Sequence, residues 1–168
     1  MVDDFEGPLA WQRAPETPWL GIRLIGDAVH GGRSALRFEY RPKATDSETF
    51  GQATCPISLK PGDRALRFYI RVEKQEPGAN WNIQFRQRDR TCWMIGDGLL
   101  SSLKAGWNRI DVPLPREPQL TSDPGGRYDP LQAQELLFSI CNKLAVFTID
   151  DFMVISGPDA GTSDQKSK

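Results

Sequence analysis

The clearest structural signal in this chain is the stretch Leu66–Val72, which reads LRFYIRV. Its four apolar residues point to one side of an extended backbone and its two arginines and tyrosine to the other, because successive side chains of a strand alternate. The stretches Trp81–Arg88 and Ser34–Tyr40 alternate in the same way. This pattern predicts strands with one buried face and one face in water.

Other strand candidates are short and are separated by turn residues such as Pro, Gly and Asp. They are Gly21–Ile25, Gly51–Leu59, Thr91–Ile95, Asn108–Leu114, Leu136–Cys141 and Ala145–Ile155. Many short strands at this spacing predict an all-β fold, an antiparallel β-sandwich or jelly roll. One helical turn is expected over residues 130–135, because Asp129 suits the N-cap and Pro130 the first helical position.

Length and charge restrict the organisation of the chain and its partners. The 168 residues suit one domain with a sizeable core, which we place at residues 1–156, followed by a disordered tail or linker at 157–168. The net charge of −1 provides no electrostatic footprint for nucleic acid or an anionic membrane. No apolar run approaches the ~18 residues of a membrane helix, and the N-terminus lacks the pattern of a signal peptide. A cytosolic protein and a module of a longer secreted protein both remain open.

The cysteines are three, Cys55, Cys92 and Cys141, without CxxC spacing. An odd number at such spacing disfavours a zinc site or a disulfide framework. Buried free thiols are expected, and one disulfide with one free thiol is the alternative.

We expect the side chain of Trp107 to lie in the core or at its edge.

Two similar acidic motifs lie near the ends of the chain, VDDFEG at residues 2–7 and IDDF at residues 149–152. Asp is depleted in strands and costly to bury without a partner. If the first and last strands pair, the two motifs meet. Oxygen ligands gathered in this way suit Ca²⁺.

Four segments carry a resemblance to a known family. They are Asp4-Phe5-Glu6 with Trp11, HGGRSAL at residues 30–36, GWNRIDVPL at residues 106–114 and FTIDDF at residues 147–152. Their types and order resemble the carbohydrate-binding modules with a galactose-binding-like jelly roll, which are accessory domains of bacterial glycoside hydrolases. The resemblance spans Asp3 to Ile155.

The resemblance implies a structural Ca²⁺ site. Its ligands would be the Glu6 side chain, carbonyls of the turn at His30 and Arg33, and an aspartate of the last motif, Asp151 in first place and Asp150 in second. The resemblance also implies a non-catalytic module that binds a polysaccharide or oligosaccharide. It would be appended to a larger enzyme, extracellular or at the cell surface as part of a secreted protein, and we expect a monomer.

Polar side chains of the two clearest strands form the candidate binding face. They are Arg67, Tyr69 and Arg71 on one strand and Asn82, Gln84, Arg86 and Arg88 on the next, with Trp93 added from the following segment. The two strands would lie side by side, because consecutive strands usually do. Amide and guanidinium groups beside an aromatic ring suit sugar hydroxyls and the apolar C–H face of a pyranose. Trp19 is a further stacking candidate, and an ordinary solvated sheet surface is the alternative.

The nature of the glycan and two other functions stay open. Arginine outnumbers lysine, and its rigid fork suits carboxylates, so a uronic-acid polymer and a neutral β-glucan are both compatible with the sequence. A jelly-roll polysaccharide lyase would use Tyr69 with Arg67 or Arg71. A protein-interaction or assembly module on the same fold is the other alternative.

Overall fold

A computed structural model of the protein describes residues 3–17, 19–42, 50–114, 120–121, 126–141 and 143–157. These residues form two antiparallel sheets packed face to face. The strands are β1 (Gln12–Arg13), β2 (Leu20–Ile25), β3 (Ala35–Tyr40), β4 (Phe50–Pro56), β5 (Asp63–Gln75), β6 (Asn80–Gln87), β7 (Cys92–Leu99), β8 (Trp107–Pro113), β9 (Leu120–Thr121), β10 (Ala133–Cys141) and β11 (Ala145–Ser156).

The strands divide into a six-stranded sheet and a five-stranded sheet. The first has the order β1-β4-β10-β6-β7-β9, and the second has the order β2-β3-β11-β5-β8. Apolar side chains of both inner faces interlock between them. Phe68 of β5 lies edge-on to Phe138 of β10, with ring centroids 5.7 Å apart, so the aromatic core joins the two sheets.

Every strand expected from the sequence forms, with ends moved by a few residues, and the β-sandwich is confirmed. The short strands β1 and β9 were not expected. The helical turn is shorter than expected: a 3-10 turn spans Pro130–Gln132, and β10 begins at Ala133. Asp129 does cap this turn, since its carboxylate accepts a hydrogen bond from the Leu131 amide at 3.0 Å.

The expected pairing of the two clearest strands is wrong. β5 lies in the five-stranded sheet and β6 in the six-stranded sheet. The chain crosses from one sheet to the other at a turn closed by the Ala79 amide on the Glu76 carbonyl, 3.1 Å away. The outward side chains of β5 and β6 therefore lie on opposite faces of the sandwich.

The two acidic motifs meet as the sequence suggested. Asp3 pairs with Phe152 in an isolated antiparallel bridge, and the two backbone hydrogen bonds between them are both 3.0 Å long. The first residues described thus extend the five-stranded sheet beside β11. Phe5 and Asp151 have positive φ angles of 60° and 50°, so the chain turns sharply at each motif.

The three cysteines are free thiols in this structure. Cys55 is buried as expected, whereas Cys92 and Cys141 are partly exposed. Within the described residues, no helix has the length and apolar character to cross a membrane. The expected tail beyond Gly157 lies outside the described residues.

Candidate functional site

Glu6, from the first acidic motif, clasps the turn before β3. Its carboxylate accepts hydrogen bonds from the Arg33 amide at 2.5 Å and the Ser34 amide at 2.8 Å, and the Arg33 side chain adds an ion pair at 3.2 Å. These backbone hydrogen bonds hold the pKa of Glu6 below its usual value, because they favour the charged form. Glu6 therefore ties the N-terminal segment to this turn.

The aspartates of the last motif hold the same turn from the other side. Asp150 accepts hydrogen bonds from the amides of His30 at 2.7 Å and Gly31 at 3.1 Å, and Asp151 lies 2.8 Å from the His30 ring nitrogen Nδ1. Burial raises the pKa of Asp150 despite these donors. The residues expected to gather at the turn do gather there.

The carboxylates that the resemblance assigns to a calcium ion bind N–H groups in this structure. Ca²⁺ takes six to eight oxygen ligands, and Glu6, Asp150 and Asp151 each accept at least one N–H group. The part of the chain that the structure describes contains no group of three or more His, Cys, Asp or Glu side chains suited to a metal. Calcium at Glu6, His30, Arg33 and Asp151 stays a prediction.

The β5 half of the expected binding face is occupied by the protein itself. Arg67 forms an ion pair with Asp111 of β8 at 2.5 Å. The ring of Tyr69 is covered by His30, which stacks on it with centroids 3.6 Å apart. A sugar ring cannot stack on that side of Tyr69, and Arg71 alone of the three remains exposed without an ion pair to a described residue.

The β6 half lies on the outer face of the six-stranded sheet. Trp81, Ile83 and Phe85 point into the core as expected, so Asn82, Gln84 and Arg86 point away from it. Arg88 is exposed in the turn after β6. Strand register adds further polar side chains to this surface. We call it the amide face, and its central residues are Gln52, Asn80, Asn82, Gln84 and Ser139.

The middle of the amide face is almost closed to solvent. Gln52, Leu137 and Ser139 share this outward-facing side, yet their relative exposures are only 6%, 1% and 1%. Polar atoms in so sheltered a position make stronger hydrogen bonds than atoms in open water, because the local dielectric is lower. A ligand on this face would therefore contact the partly exposed Asn82 and Gln84, which the covered residues support from beside them.

The amide side chains are already ordered by hydrogen bonds to one another. Gln84 donates to Asn82 at 3.0 Å, Asn82 donates to the sulfur of Cys141 at 3.3 Å, and Gln52 donates to Ser139 at 2.9 Å. Burial raises the pKa of the Cys141 thiol, which stays neutral. Such a network presents oriented donors and acceptors without a large entropy cost on binding.

Two exposed apolar residues border the amide face, and the sequence pattern did not single them out. Phe50 opens β4 with 44% exposure, and Leu99 ends β7 with 51%. Register places them in one row that runs Phe50, Cys141, Asn80, Leu99 across four strands. Three strand spacings separate Phe50 from Leu99, or roughly 14 Å. In the sequence, the only sign that this border is apolar was the aromatic residue Phe50 at the start of an expected strand.

Neither tryptophan proposed for stacking lies open on this face. Trp93 is wrong as a ligand contact: it is 6% exposed, donates to Thr91 Oγ1 at 3.1 Å and packs on Tyr128. Trp19 is partly buried against the core. Trp107, expected in the core or at its edge, instead lies on the outer face of the five-stranded sheet in register with Arg71.

Comparisons of sequence do not identify the chain. No protein-family model matches it, and no curated protein sequence matches it.

Solved structures do resemble it over nearly its whole length. A family 11 carbohydrate-binding module from Clostridium thermocellum, in complex with a β-1,3-1,4-mixed-linked tetrasaccharide, matches with a TM-score of 0.70 and 16% identity, covering 93% of this chain and 94% of that one. A family 30 carbohydrate-binding module of the Clostridium thermocellum cellulosomal cellulase Cel9D-Cel44B gives 0.62 and 13%, covering 94% and 98%. The Caldicellulosiruptor saccharolyticus module CBM27-1, in complex with mannohexaose, gives 0.59 and 11%, covering 85% and 88%.

These likenesses show the fold. The chain has the β-sandwich jelly-roll fold of carbohydrate-binding modules, as the sequence motifs indicated. Because function resides in a site and not in the sandwich, the residues of the amide face must carry the functional argument.

Proposed function

We propose that this protein is a carbohydrate-binding module that takes a neutral polysaccharide on the amide face. The observation that carries the proposal is a row of amide and hydroxyl side chains, Gln52, Ser139 and Asn82, that lies beside the row ending in the exposed apolar residues Phe50 and Leu99. Sugar hydroxyls need paired donors and acceptors, which the amides supply. The C–H face of a pyranose needs a flat apolar partner, which Phe50 supplies. Solved structures of the same fold with bound oligosaccharides support the proposal.

The charges of the amide face favour a neutral ligand over an acidic one. Its one strand arginine, Arg86, is engaged by Glu135 at 2.7 Å. Asp97, which lies opposite Asn82, is exposed and adds a negative charge. An acidic polymer would meet this carboxylate, and the one arginine of the central strands β4, β10, β6 and β7 is already paired with Glu135. Neutral hydroxyl groups meet no such penalty.

The residues of the lyase alternative are partly engaged in this structure. His30 stacks on the Tyr69 ring and Asp111 engages Arg67, whereas Arg71 stays exposed. A protein-binding surface would show a contiguous apolar patch. Four large apolar residues among those described are exposed, and two of them, Phe50 and Leu99, are separated by Cys141 and Asn80. Attachment to a larger secreted enzyme stays a prediction.

Isothermal calorimetry against a panel of soluble polysaccharides tests the proposal. The panel holds mixed-linked β-glucan, xylan, glucomannan and polygalacturonate. We expect at least one neutral polymer to bind, and we expect the variant Asn82→Ala to weaken its binding about tenfold. Absence of heat with every neutral polymer would refute the function. Unchanged affinity in Asn82→Ala would refute the site.

A further inference from the structure

A row of arginines crosses the outer face of the five-stranded sheet, opposite the amide face. Register aligns Arg23 with Arg37, Arg37 with Thr148, Thr148 with Arg71, and Arg71 with Trp107, so one row spans all five strands. We call these five residues the arginine row. The proposed neutral-glycan site makes no use of them.

The row carries positive charge that the protein does not fully neutralise. Glu73 engages Arg37 at 2.7 Å. Arg23 and Arg71 are exposed and form no ion pair with any residue that the structure describes. In the adjacent row, the carboxylate of Glu39 already pairs with Arg41. That row continues through Val146 to the basic residue Lys74. Two unpaired guanidinium groups thus stand on a chain whose net charge is −1.

The arrangement carries an electrostatic cost. Arg23 and Arg37 are direct cross-strand partners, and like charges placed directly opposite each other destabilise a sheet. The positive field also reaches Glu39, whose pKa is lowered mainly by its hydrogen bond with Arg41 and further by Arg37 and Arg23. A surface with this field attracts anions.

Spacing and ring chemistry restrict what the anion can be. Arg23 and Arg71 lie three strands apart, roughly 14 Å at the usual spacing, so one small anion cannot contact both. An extended polymer with repeated negative groups, lying across the strands, can. Trp107 stands next to Arg71 in the row, is partly exposed and lies edge-on to His30 with centroids 5.7 Å apart. Its apolar ring suits the C–H face of a sugar beside the guanidinium.

We propose that the arginine row is a second glycan-binding site, distinct from the amide face, that binds a carboxylate-bearing polysaccharide such as a polyuronate. Arg71 and Arg23 pair with carboxylates along the polymer, since guanidinium matches carboxylate in geometry, and Trp107 contacts a sugar ring at the end of the row, beyond Arg71. The two sheets then bind polymers of different charge on opposite faces.

Calorimetry and affinity electrophoresis with polygalacturonate test this site. The variant Arg23→Ala/Arg71→Ala removes its two unpaired charges. The matched control, Arg13→Ala/Lys60→Ala, removes two exposed charges elsewhere. We expect the wild-type protein to bind polygalacturonate, more weakly as ionic strength rises to about 0.15 M. The arginine-row variant should bind at least about tenfold more weakly, and the control within about twofold.

Two control ligands distinguish specific binding at the arginine row from non-specific attraction to charged polymers. Fully methyl-esterified polygalacturonate lacks the carboxylates, and polyglutamate has carboxylates without sugar rings. We expect neither to bind as tightly as polygalacturonate, and we expect Trp107→Ala to weaken polygalacturonate binding. The proposal is wrong if the wild-type protein does not bind polygalacturonate, if the control loses as much affinity as the arginine-row variant, or if polyglutamate binds equally well.

Neutral-glucan binding, measured on the same samples, keeps the two sites apart. The arginine-row variant should bind the neutral polymer as the wild-type protein does. The second site would be overturned if Asn82→Ala lost polygalacturonate binding while Arg23→Ala/Arg71→Ala kept it. That result would show that the acidic polymer binds the amide face. If no neutral polymer binds but polygalacturonate still does, the proposed binding of a neutral polysaccharide is refuted and the second site is not.

Discussion

Individual aromatic residues show how burial decides their role. Trp93 lies between apolar neighbours in a strand, and its indole is sealed into the sandwich against Tyr128. Phe50 begins its strand, faces outward and is 44% exposed. Tyr69 faces outward as alternation predicted, but His30 covers its ring. Alternation tells which side a residue faces, whereas a distant turn decides whether that side is open.

Replacing Phe50 tests whether the exposed ring contacts the glycan. We expect Phe50→Ala to lower neutral-glycan affinity roughly tenfold, about 1.4 kcal/mol, because the apolar sugar face loses its flat partner. Calorimetry measures the affinity, and thermal unfolding shows that Tm is little changed, since the ring is not in the core. Leu131→Ala, which removes an exposed apolar side chain outside the strands of the amide face, is the control. Equal affinity of Phe50→Ala and wild type would exclude the contact.

Glu6 gives a pH-dependent contribution to stability. Its pKa is lowered in the folded protein by the Arg33 and Ser34 amides, so the unfolded chain takes up the proton at a higher pH than the folded chain does. The stabilisation is present above the ordinary pKa of glutamate and is lost as the pH falls through the lowered folded value. Glu6→Gln should therefore lower Tm at neutral pH and flatten the acid side of the Tm–pH curve.

The same Tm measurements examine the calcium prediction. If hydrogen bonds alone hold the turn, chelation with EDTA leaves the wild-type Tm unchanged. A calcium site at Glu6 predicts instead that Tm rises on adding Ca²⁺ and that this rise is absent in Glu6→Gln. Parallel Tm–pH curves for wild type and Glu6→Gln would contradict the role assigned to the carboxylate.

For the strands, the sequence predicts well where each one forms and poorly which strands pair in a sheet. Alternation in β5 and β6 identifies both strands and their inward faces, because each buries one side against a core. It carries no information on which sheet a strand joins, because both sheets bury the same kind of face. The turn closed by Glu76 and Ala79 sends the chain across the sandwich. The expected face is therefore split between two surfaces. Its three β5 residues lie on the five-stranded sheet, and its three β6 residues, Asn82, Gln84 and Arg86, lie on the amide face.

Two variants, one on β5 and one on β6, test whether the two strands contribute to different surfaces. We expect Gln84→Ala to weaken neutral-glycan binding about tenfold, because Gln84 is partly exposed on the amide face and hydrogen-bonds Asn82. We expect Arg67→Ala to leave the affinity within about twofold, since Arg67 lies on the opposite sheet. Its partly exposed ion pair with Asp111 contributes at most about 1 kcal/mol to stability. Equal losses in the two variants would mean that the strands contribute to one site.

Contact between the sheets depends on a few small residues. A Cβ atom on Gly96 of β7 would lie 2.6 Å from Cγ1 of Val112 in β8, which belongs to the other sheet. Glycine here lets the two layers approach, and no periodic pattern reveals such a requirement. Gly7, by contrast, has no atom within 4 Å of its would-be Cβ.

Gly96→Ala is expected to lower the free energy of unfolding by about 1–3 kcal/mol, because the methyl group overpacks the core. Chemical denaturation measures it. Gly7→Ala, the matched control, should be neutral or slightly stabilising, since it only restricts the unfolded chain. A Gly96→Ala protein as stable as Gly7→Ala would show that the sheets are less tightly packed than described.

For the whole molecule, the fold was accessible from sequence and the site only in part. Strand pattern and the motifs at the two chain ends predicted the jelly roll, and the solved carbohydrate-binding modules share it. The motifs also predicted that the chain ends would meet, as Asp3 and Phe152 do. The covered centre of the amide face, Gln52, Leu137 and Ser139, depends on strands far apart in sequence, so no local pattern could reveal it.

The most direct measurement is a titration of ¹⁵N-labelled protein with a neutral oligosaccharide of a polymer that binds, followed by two-dimensional NMR. We predict that shift changes concentrate on the side-chain amides of Gln52, Asn82 and Gln84 and on the backbone of Phe50 and Leu99. Resonances of Arg23, Arg71 and Trp107 on the opposite sheet should stay in place. Shift changes centred on the five-stranded sheet, with the amide face unmoved, would contradict the account.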